Sequence, residues 1–146
     1  MTERTLGLDL GTKTIGVALS DGLGLTAQPL TTLVRRGLKQ NLKELQAIID
    51  EHGVERVLIG LPLNMNGTEG PRAVDSRQFA GALHAATGLL IELWDERLST
   101  VAAERMLIEA DLSRKKRREV IDQVAAAFIL QGFLDAQRPS GWDDDG

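Results

Sequence analysis

Apolar and polar residues alternate in three short segments near the beginning of the chain. Residues 5–10 and 15–19 have the two-residue period of strands, and the segment between them has the composition of a turn. Residues 28–34 are rich in β-branched side chains and include a proline, which disfavours a helix. The pattern predicts an antiparallel meander of three strands, with Asp9 near the end of the first strand.

Two helix-and-strand units follow this meander. Apolar residues recur every three or four positions from Leu38 to Ile49, and Gly53 is a stop signal, so an amphipathic helix is predicted. Residues 57–59 are apolar throughout, as in a central parallel strand that is covered on both faces. A second helix is predicted over about residues 73–86, and the next strand over residues 89–94.

The remaining sequence predicts two helices and a tail. Ser99 or Thr100 can cap a helix that reaches about residue 110, and Ser113 can cap a long last helix that reaches about residue 136. The segment 139–146 has turn residues and like charges without periodicity, so we expect a disordered acidic tail. Residues 1–138 are then expected to form one domain.

These elements assemble into one architecture. Three antiparallel strands followed by two parallel strands, joined by right-handed crossovers, give a five-stranded mixed sheet flanked by helices. This α/β arrangement is the RNase H-like architecture. In such open sheets, chemistry takes place beyond the carboxyl ends of the parallel strands.

Composition and charge restrict the function classes. The chain has no cysteine, which excludes disulfides and thiol nucleophiles, and it has no apolar signal region, so we expect a cytoplasmic protein that does not span a membrane. The net charge is −4, of which Asp143–Asp145 supply three charges, leaving a nearly neutral body. Nucleic-acid binding would therefore need a local basic patch. One candidate patch consists of Arg114, Lys115, Lys116, Arg117 and Arg118. The alternative is that this basic run is only a solvated helix face or a flexible loop.

Two acidic positions follow predicted strands. Asp9 ends the first strand two residues before Gly11, and it is either a site residue or a residue that closes the turn. Asp95 and Glu96 follow the fifth strand. Because neighbours on a strand point to opposite faces, only one of this pair can easily share a site with Asp9, and the other could hold Arg97 or cap the next helix. Alternatively, both are surface turn residues.

A third acid, Asp122, begins an apolar helix face formed by Ala125, Ala126, Ile129 and Phe133. Burying it without a partner would cost several kcal/mol, so it needs a cation, a hydrogen-bond donor or a water-filled cleft. An arginine or lysine partner is the structural alternative. Since the alanines let the helix lie close to the sheet, we expect Asp122 to reach the strand ends.

Three converging carboxylates would favour a metal ion. Unit charges about 4 Å apart repel by about 4 kcal/mol per pair at an effective dielectric near 20, and a divalent cation removes that cost. Without cysteine and with two histidines in the chain, an all-oxygen site suits Mg²⁺ or Mn²⁺. One or two such ions can promote hydrolysis of a phosphodiester bond by water. Lys13 or the basic patch could hold the substrate backbone.

Four ordered blocks carry a resemblance that covers the chain from Leu8 to about Leu134. They are residues 9–18, 60–69, 95–100 and 121–122 with the alanines that follow. Together they resemble the YqgF/RuvX family of Holliday junction resolvases, also called pre-16S rRNA nucleases. The resemblance implies a nuclease acting on pre-16S rRNA 5′ ends or branched DNA. It also implies that the metal-binding acids are Asp9, Glu96 and Asp122, and so selects Glu96 over Asp95.

The chain departs from the family at two positions, since many relatives have arginine in place of Thr14 and aspartate in place of Asn66. Neither change removes a proposed ligand. Within the loop 62–70, Asn64 either contacts substrate backbone or stabilises a turn, and Arg97 is a further candidate for nucleic-acid contact. Glu119, one turn before Asp122, is an additional acid that could lie in the cleft or on the surface.

Other functions remain open at this point. One is a noncatalytic nucleic-acid or ribosome-associated module. Another is a nucleotide-binding phosphotransferase, because residues 9–12 also resemble the phosphate loop of sugar kinases and actin-like ATPases, although those proteins clamp nucleotide between two domains. The sequence does not choose between RNA and DNA, and a symmetric junction substrate would favour a homodimer.

Overall fold

A computed structural model describes residues 4–98 and 114–137, with the backbone alone for 114–120. The elements in chain order are β1 (Arg4–Leu10), β2 (Thr14–Ser20), β3 (Ala27–Val34), α1 (Leu38–His52), β4 (Val54–Leu61), α2 (Pro71–Thr87), β5 (Leu90–Asp95), a 3₁₀ turn (Glu96–Leu98) and α3 (Arg114–Ala136). The expected helix near 99–110, the Ser113 cap and the expected tail fall outside the described residues.

The five strands form one mixed sheet in the order β3-β2-β1-β4-β5. β1, β2 and β3 are antiparallel neighbours, whereas β4 is parallel to both β1 and β5. The predicted sheet, with three antiparallel and two parallel strands, is therefore confirmed. The interior position of β4 in the sheet explains the apolar run at residues 57–59, because helices cover both faces of the strand.

Alternation along β1 divides the core into two layers. Leu6, Leu8 and Leu10 pack against α1 and α2 in one apolar cluster that includes Leu45 and Phe79. The intervening positions of β1 face α3, which buries a second cluster that includes Ala126, Ile129 and Phe133. No helix in the described ranges is long and apolar enough to cross a membrane.

Local signals set the helix ends. α1 and α2 stop at Gly53 (φ 64°) and Gly88 (φ 72°), where the left-handed conformation is easiest for glycine. α2 begins at Pro71, two residues earlier than the periodicity indicates. Proline is well suited to a first helical position because its missing N–H would have no helical partner there.

Candidate active site

Glycines on three neighbouring strands allow α3 to lie directly on the sheet. A Cβ atom at Gly7 would lie 2.9 Å from the Leu130 Cβ, and one at Gly16 would lie 1.9 Å from the backbone oxygen of Asp122. Both distances are far below normal contact. We call Gly7, Gly16 and Gly60 the glycine surface. The close approach predicted from the helix alanines thus depends equally on residues of the sheet.

Asp9 lies on this surface in the middle of the sheet. Asp9 is 1% exposed, and it pairs with Gly16 across the β1–β2 ladder. Cross-strand partners share a face, so the Asp9 side chain points toward α3 at the level of Asp122. The turn after it is closed by the Gly11 backbone N–H, which donates to the Thr14 carbonyl at 2.8 Å. Asp9 therefore occupies an inward position, rather than that of an exposed turn residue.

Asp122 lies at the β1–β2 turn and has a hydrogen-bond donor there. The Thr14 hydroxyl donates to Asp122 Oδ2, and a Cβ at Gly11 would lie 3.6 Å from the same oxygen. Thr14 and Gly16 are two residues apart on β2, so both face α3. Sequence reasoning treated Thr14 only as a departure from the family. Its hydroxyl, two positions before a buried glycine, is the signal that was missed.

Glu96 reaches the same region from the far side of β4. It is half-buried in the 3₁₀ turn after β5, and a Cβ at Gly60 would lie 3.1 Å from its Cγ and 3.3 Å from its Cδ. Gly60 follows Ile59, the β4 residue that pairs with Leu8 of β1. The Glu96 side chain therefore passes over β4 at Gly60, where the strand has no side chain, and lies beside Asp9.

Asp95 has a different role from its neighbour. Arg97 donates from Nε to Asp95 Oδ1 at 3.1 Å and from Nη2 to Oδ2 at 2.8 Å. These hydrogen bonds lower the pKa of Asp95 and keep the carboxyl ionised. The hypothesis that one acid of this pair holds Arg97 is confirmed, and that acid is Asp95.

The three acids share one end of the sheet but do not form a closed cluster. Within residues 4–98 and 114–137, no three acidic or histidine side chains are grouped so that they could hold a metal ion. Asp122 instead accepts the Thr14 hydroxyl, and both Asp9 and Glu96 also have interactions within the protein. An ion at this site would require the carboxylates to move closer together.

The loop 62–70 is a hydrogen-bonded turn next to this site. The Asn64 side-chain amide donates to Thr68 Oγ1 at 2.9 Å, and Asn66 Oδ1 accepts from the Thr68 backbone N–H at 3.1 Å. Arg97 Nη1 donates to the Met65 carbonyl at 3.3 Å, which ties the loop to the end of β5. Asn64 therefore has the turn-stabilising role that the sequence left open, and Asn66 preserves the turn geometry.

The basic candidates occupy two places. Lys13 is exposed in the β1–β2 turn, and its carbonyl accepts the Arg35 backbone N–H at 2.9 Å. The basic patch 114–118 forms the beginning of α3, so the same helix carries it and Asp122. The side chains of this patch and of Glu119 lie outside the described residues.

The strand order, the two helical layers and the inward-facing acids define an α/β protein of the RNase H-like class. A solved structure has the same fold. T. thermophilus RuvC in complex with Holliday junction substrate aligns over 92% of this chain and 95% of its own, with a TM-score of 0.60 and 14% sequence identity. At that identity the likeness concerns the fold alone.

Sequence comparison identifies the family. The model of the RuvX family, described as Holliday junction resolvase, matches residues 3–136, so the chain belongs to the RuvX family. A relative from Myxococcus xanthus is 66% identical over 140 residues, covering 96% of this chain and 93% of the relative. One from Geobacillus kaustophilus is 63% identical over 138 residues, covering 92% and 99%. Both carry the name "Putative pre-16S rRNA nuclease".

Proposed function

We propose that the chain is a metal-dependent nuclease in which Asp9, Glu96 and Asp122 bind one or two Mg²⁺ or Mn²⁺ ions and direct phosphodiester hydrolysis. One observation carries the proposal: a fully buried acid on the central strand pairs with Gly16, against which the backbone of Asp122 rests. Family membership and the names of the relatives support a nuclease.

The donor set suits a hard divalent cation. Three carboxylates and a hydroxyl supply oxygen atoms only, and oxygen is the ligand that Mg²⁺ and Mn²⁺ prefer. When bound, the ion would polarise a phosphoryl oxygen and lower the pKa of a bound water. Asp9, buried on β1, would act as the fixed ligand. Glu96, on a short 3₁₀ turn, and Asp122, whose oxygen accepts from Thr14, would adjust around it.

Charge repulsion accounts for the open arrangement of the acids. Carboxylates brought to about 4 Å repel by about 4 kcal/mol per pair at an effective dielectric near 20, so they are expected to gather only around a cation. In its present position Thr14 satisfies one oxygen of Asp122 and orients the carboxylate. The hydroxyl thus acts as a positioning group for a ligand.

The substrate class follows from the family and from the chemistry. We propose structured nucleic acid, either the 5′ end of pre-16S rRNA or branched DNA, since a carboxylate site cuts the backbone without reading bases. Lys13 and the patch 114–118 would hold the strand at the two sides of the acids. Paired cuts in a junction need two sites and hence a homodimer, whereas trimming an rRNA end needs one. Both substrates would place the protein in the cytoplasm.

A noncatalytic nucleic-acid or ribosome-associated module is the second candidate. It is favoured by the hydrogen bond from the Thr14 hydroxyl to Asp122, which gives one carboxylate oxygen a partner within the protein. Such a module would bind structured nucleic acid with the same affinity in the presence and absence of divalent ions. It would leave the strand intact.

A cleavage assay separates the two candidates from each other and from a phosphotransferase. The purified chain is incubated with Mg²⁺ or Mn²⁺ and, in separate reactions, with precursor 16S rRNA 5′ ends, four-way DNA junctions and ATP. Asp9→Asn and Asp122→Asn are each expected to reduce cleavage at least about 100-fold, since each removes a ligand charge. The matched control is Asp50→Asn, on the outer side of α1, where the carboxylate accepts from Gln46.

Four outcomes decide between these functions. Cleavage of RNA or DNA that depends on Asp9 and Asp122 but not on Asp50 supports the nuclease. Activity that survives Asp9→Asn together with Asp122→Asn contradicts the proposed site. Tight binding without cleavage at any Mn²⁺ concentration assigns the chain to the noncatalytic class, and phosphate release from ATP alone assigns it to phosphotransfer.

A further inference from the structure

A cavity lies on the opposite side of the β1–β2 turn from Asp122. Its volume is about 380 Å³, and its lining includes Gly11, Thr12, Arg35, Arg72 and Asp75. Leu10, the last residue of β1, also lines it and packs into the α1–α2 layer. Gly11 borders both regions, because a Cβ there would lie 3.6 Å from Asp122 Oδ2. The turn thus separates this cavity from the acids.

Arg35 forms one wall of the cavity and is held in place. Its Nη1 donates to Asp75 Oδ2 at 2.7 Å and its Nη2 to Asp75 Oδ1 at 3.1 Å, while Nη1 also donates to the Gly11 carbonyl at 2.9 Å. Hydrogen bonding to Asp75 raises the pKa of Arg35, so the guanidinium stays charged. This ion pair attaches the β1–β2 turn to α2, and its two charges largely cancel.

Arg72 gives the cavity a net positive charge. The residue is exposed, and its Nη2 donates to the Leu10 carbonyl at 3.1 Å. That is the single hydrogen bond of its guanidinium within the part of the chain that the structure describes, so the other guanidinium N–H groups can donate to a ligand. The charged side chains that line the cavity are Arg35, Arg72 and Asp75, which sum to one positive charge.

The position of Arg72 on its helix favours an anion. It is the second residue of α2, a helix of 17 residues whose first turn contains no acidic residue. Among the described residues, no side chain caps the N-terminus at Gly70. A cation there opposes the positive end of the helix dipole, and an anion between Arg72 and the helix N-terminus would compensate both.

We propose that this cavity, the Arg35–Arg72 pocket, binds a backbone phosphate of the nucleic-acid strand next to the phosphate that is cleaved. The inference rests on the proposed nuclease function and adds a subsite to it. A strand that crosses the turn at Gly11 and Thr12 presents one phosphate to the acids and a neighbouring phosphate to the pocket. The pocket would thereby set where along the strand the cut is made.

Equilibrium binding under changing salt tests the pocket. Fluorescence anisotropy of a labelled DNA junction and a labelled rRNA 5′ fragment is measured without divalent ions, so that cleavage does not interfere. Each phosphate contact contributes about 0.7 to 0.9 to the slope of log K against log salt concentration. Arg72→Gln is expected to reduce this slope by about one contact, and Arg72→Lys, which keeps the charge, is expected to preserve it.

A matched control removes the effect of net charge. Arg4→Gln makes the same substitution at the beginning of β1, at the opposite end of that strand, where Arg4 donates to the His52 carbonyl at 3.5 Å. It should leave the slope unchanged. Arg72→Gln removes one hydrogen bond from an exposed side chain, so the variant is expected to fold, and thermal unfolding checks this.

The outcomes keep the two proposals apart. If wild type binds or cleaves nucleic acid and Arg72→Gln has an unchanged slope, the pocket assignment is wrong and the nuclease proposal stands. If wild type neither binds nor cleaves, the proposed function itself fails. A titration with inorganic phosphate, followed through the amide NMR signals of Thr12 and Arg72, distinguishes the phosphate source. Saturation by inorganic phosphate together with an unchanged slope would assign the pocket to a free anion and overturn the inference.

Discussion

Replacing Gly16 with alanine should lift α3 from the sheet. The added Cβ would lie 1.9 Å from the Asp122 backbone oxygen, and ordinary contact begins at 3.4 Å, so the two backbones must separate by about 1.5 Å. The atoms in contact are main-chain atoms, which cannot rotate away. We expect a loss of about 3 kcal/mol in the free energy of unfolding, the upper part of the range for overpacking. Displacing Asp122 by more than 1 Å should also slow cleavage about 100-fold.

Urea unfolding and single-turnover cleavage measure the two effects separately. Since a domain is stable by about 5–15 kcal/mol, the variant should remain folded during the cleavage assay. Gly81→Ala is the control, because a methyl group there meets nothing within 4 Å among the described residues. Gly81 lies inside α2, so this change should stabilise the protein by about 0.5–1 kcal/mol. Wild-type stability and cleavage in Gly16→Ala would refute the contact between α3 and β2.

Three further predictions concern individual groups of the site. Thr14→Val should raise the Mn²⁺ concentration for half-maximal cleavage about 10-fold or more, because the substitution removes the hydrogen-bond donor to Asp122. Thr14→Ser keeps a hydroxyl and should return this concentration to the wild-type value. Equal Mn²⁺ requirements in wild type and Thr14→Val would exclude a positioning role. The folded-state pKa of Asp95 is lowered by Arg97, so its stabilisation is present above the unfolded pKa of about 4 and is lost as the pH falls through the folded value. Urea unfolding from neutral to acid pH should therefore show a steeper loss for wild type than for Asp95→Asn, and parallel curves would contradict the ion pair. Mn²⁺ at about 100 times its dissociation constant should stabilise wild type by about 2.7 kcal/mol but not Asp9→Asn, as measured by thermal unfolding; equal stabilisation of both would place the ion elsewhere.

The fold was predictable from the sequence where local physics decides the structure. Alternation in the first three strands and apolar periodicity in α1 correspond to the observed elements. Gly53 and Gly88 end their helices as expected, because a left-handed residue is a local requirement. The least accurate element limits were those at polar residues. β4 begins at Val54, since Val54 pairs with Arg4 and the charged Arg56 pairs with Thr5, while the ladder skips Glu55.

The candidate site was predictable only in part, because its contacts join distant residues. Thr14 and Asp122 are 108 residues apart, and no spacing rule links a hydroxyl to a carboxylate over that distance. The strand pattern also left Asp95 and Glu96 equivalent. Their separation depends on Arg97, which curls back to Asp95, and on Gly60, which leaves space for Glu96. Burial of Asp9 depends on Gly16, a residue of another strand.

The positions of the glycine surface differ in how easily another residue can replace the glycine during evolution. At Gly60, the nearest atom to an added Cβ is Ile129 Cδ1 at 2.8 Å, the end of a side chain. A smaller residue at position 129 relieves that contact, and the Glu96 side chain, whose Cγ would lie 3.1 Å from the added Cβ, then has to shift by a few tenths of an ångström. At Gly16 the nearest atoms belong to the main chain of Asp122, and no substitution shortens a main chain. Descendants of this sequence can therefore exchange Gly60 for alanine through a compensated path, whereas Gly16 has no partner whose replacement would rescue its loss.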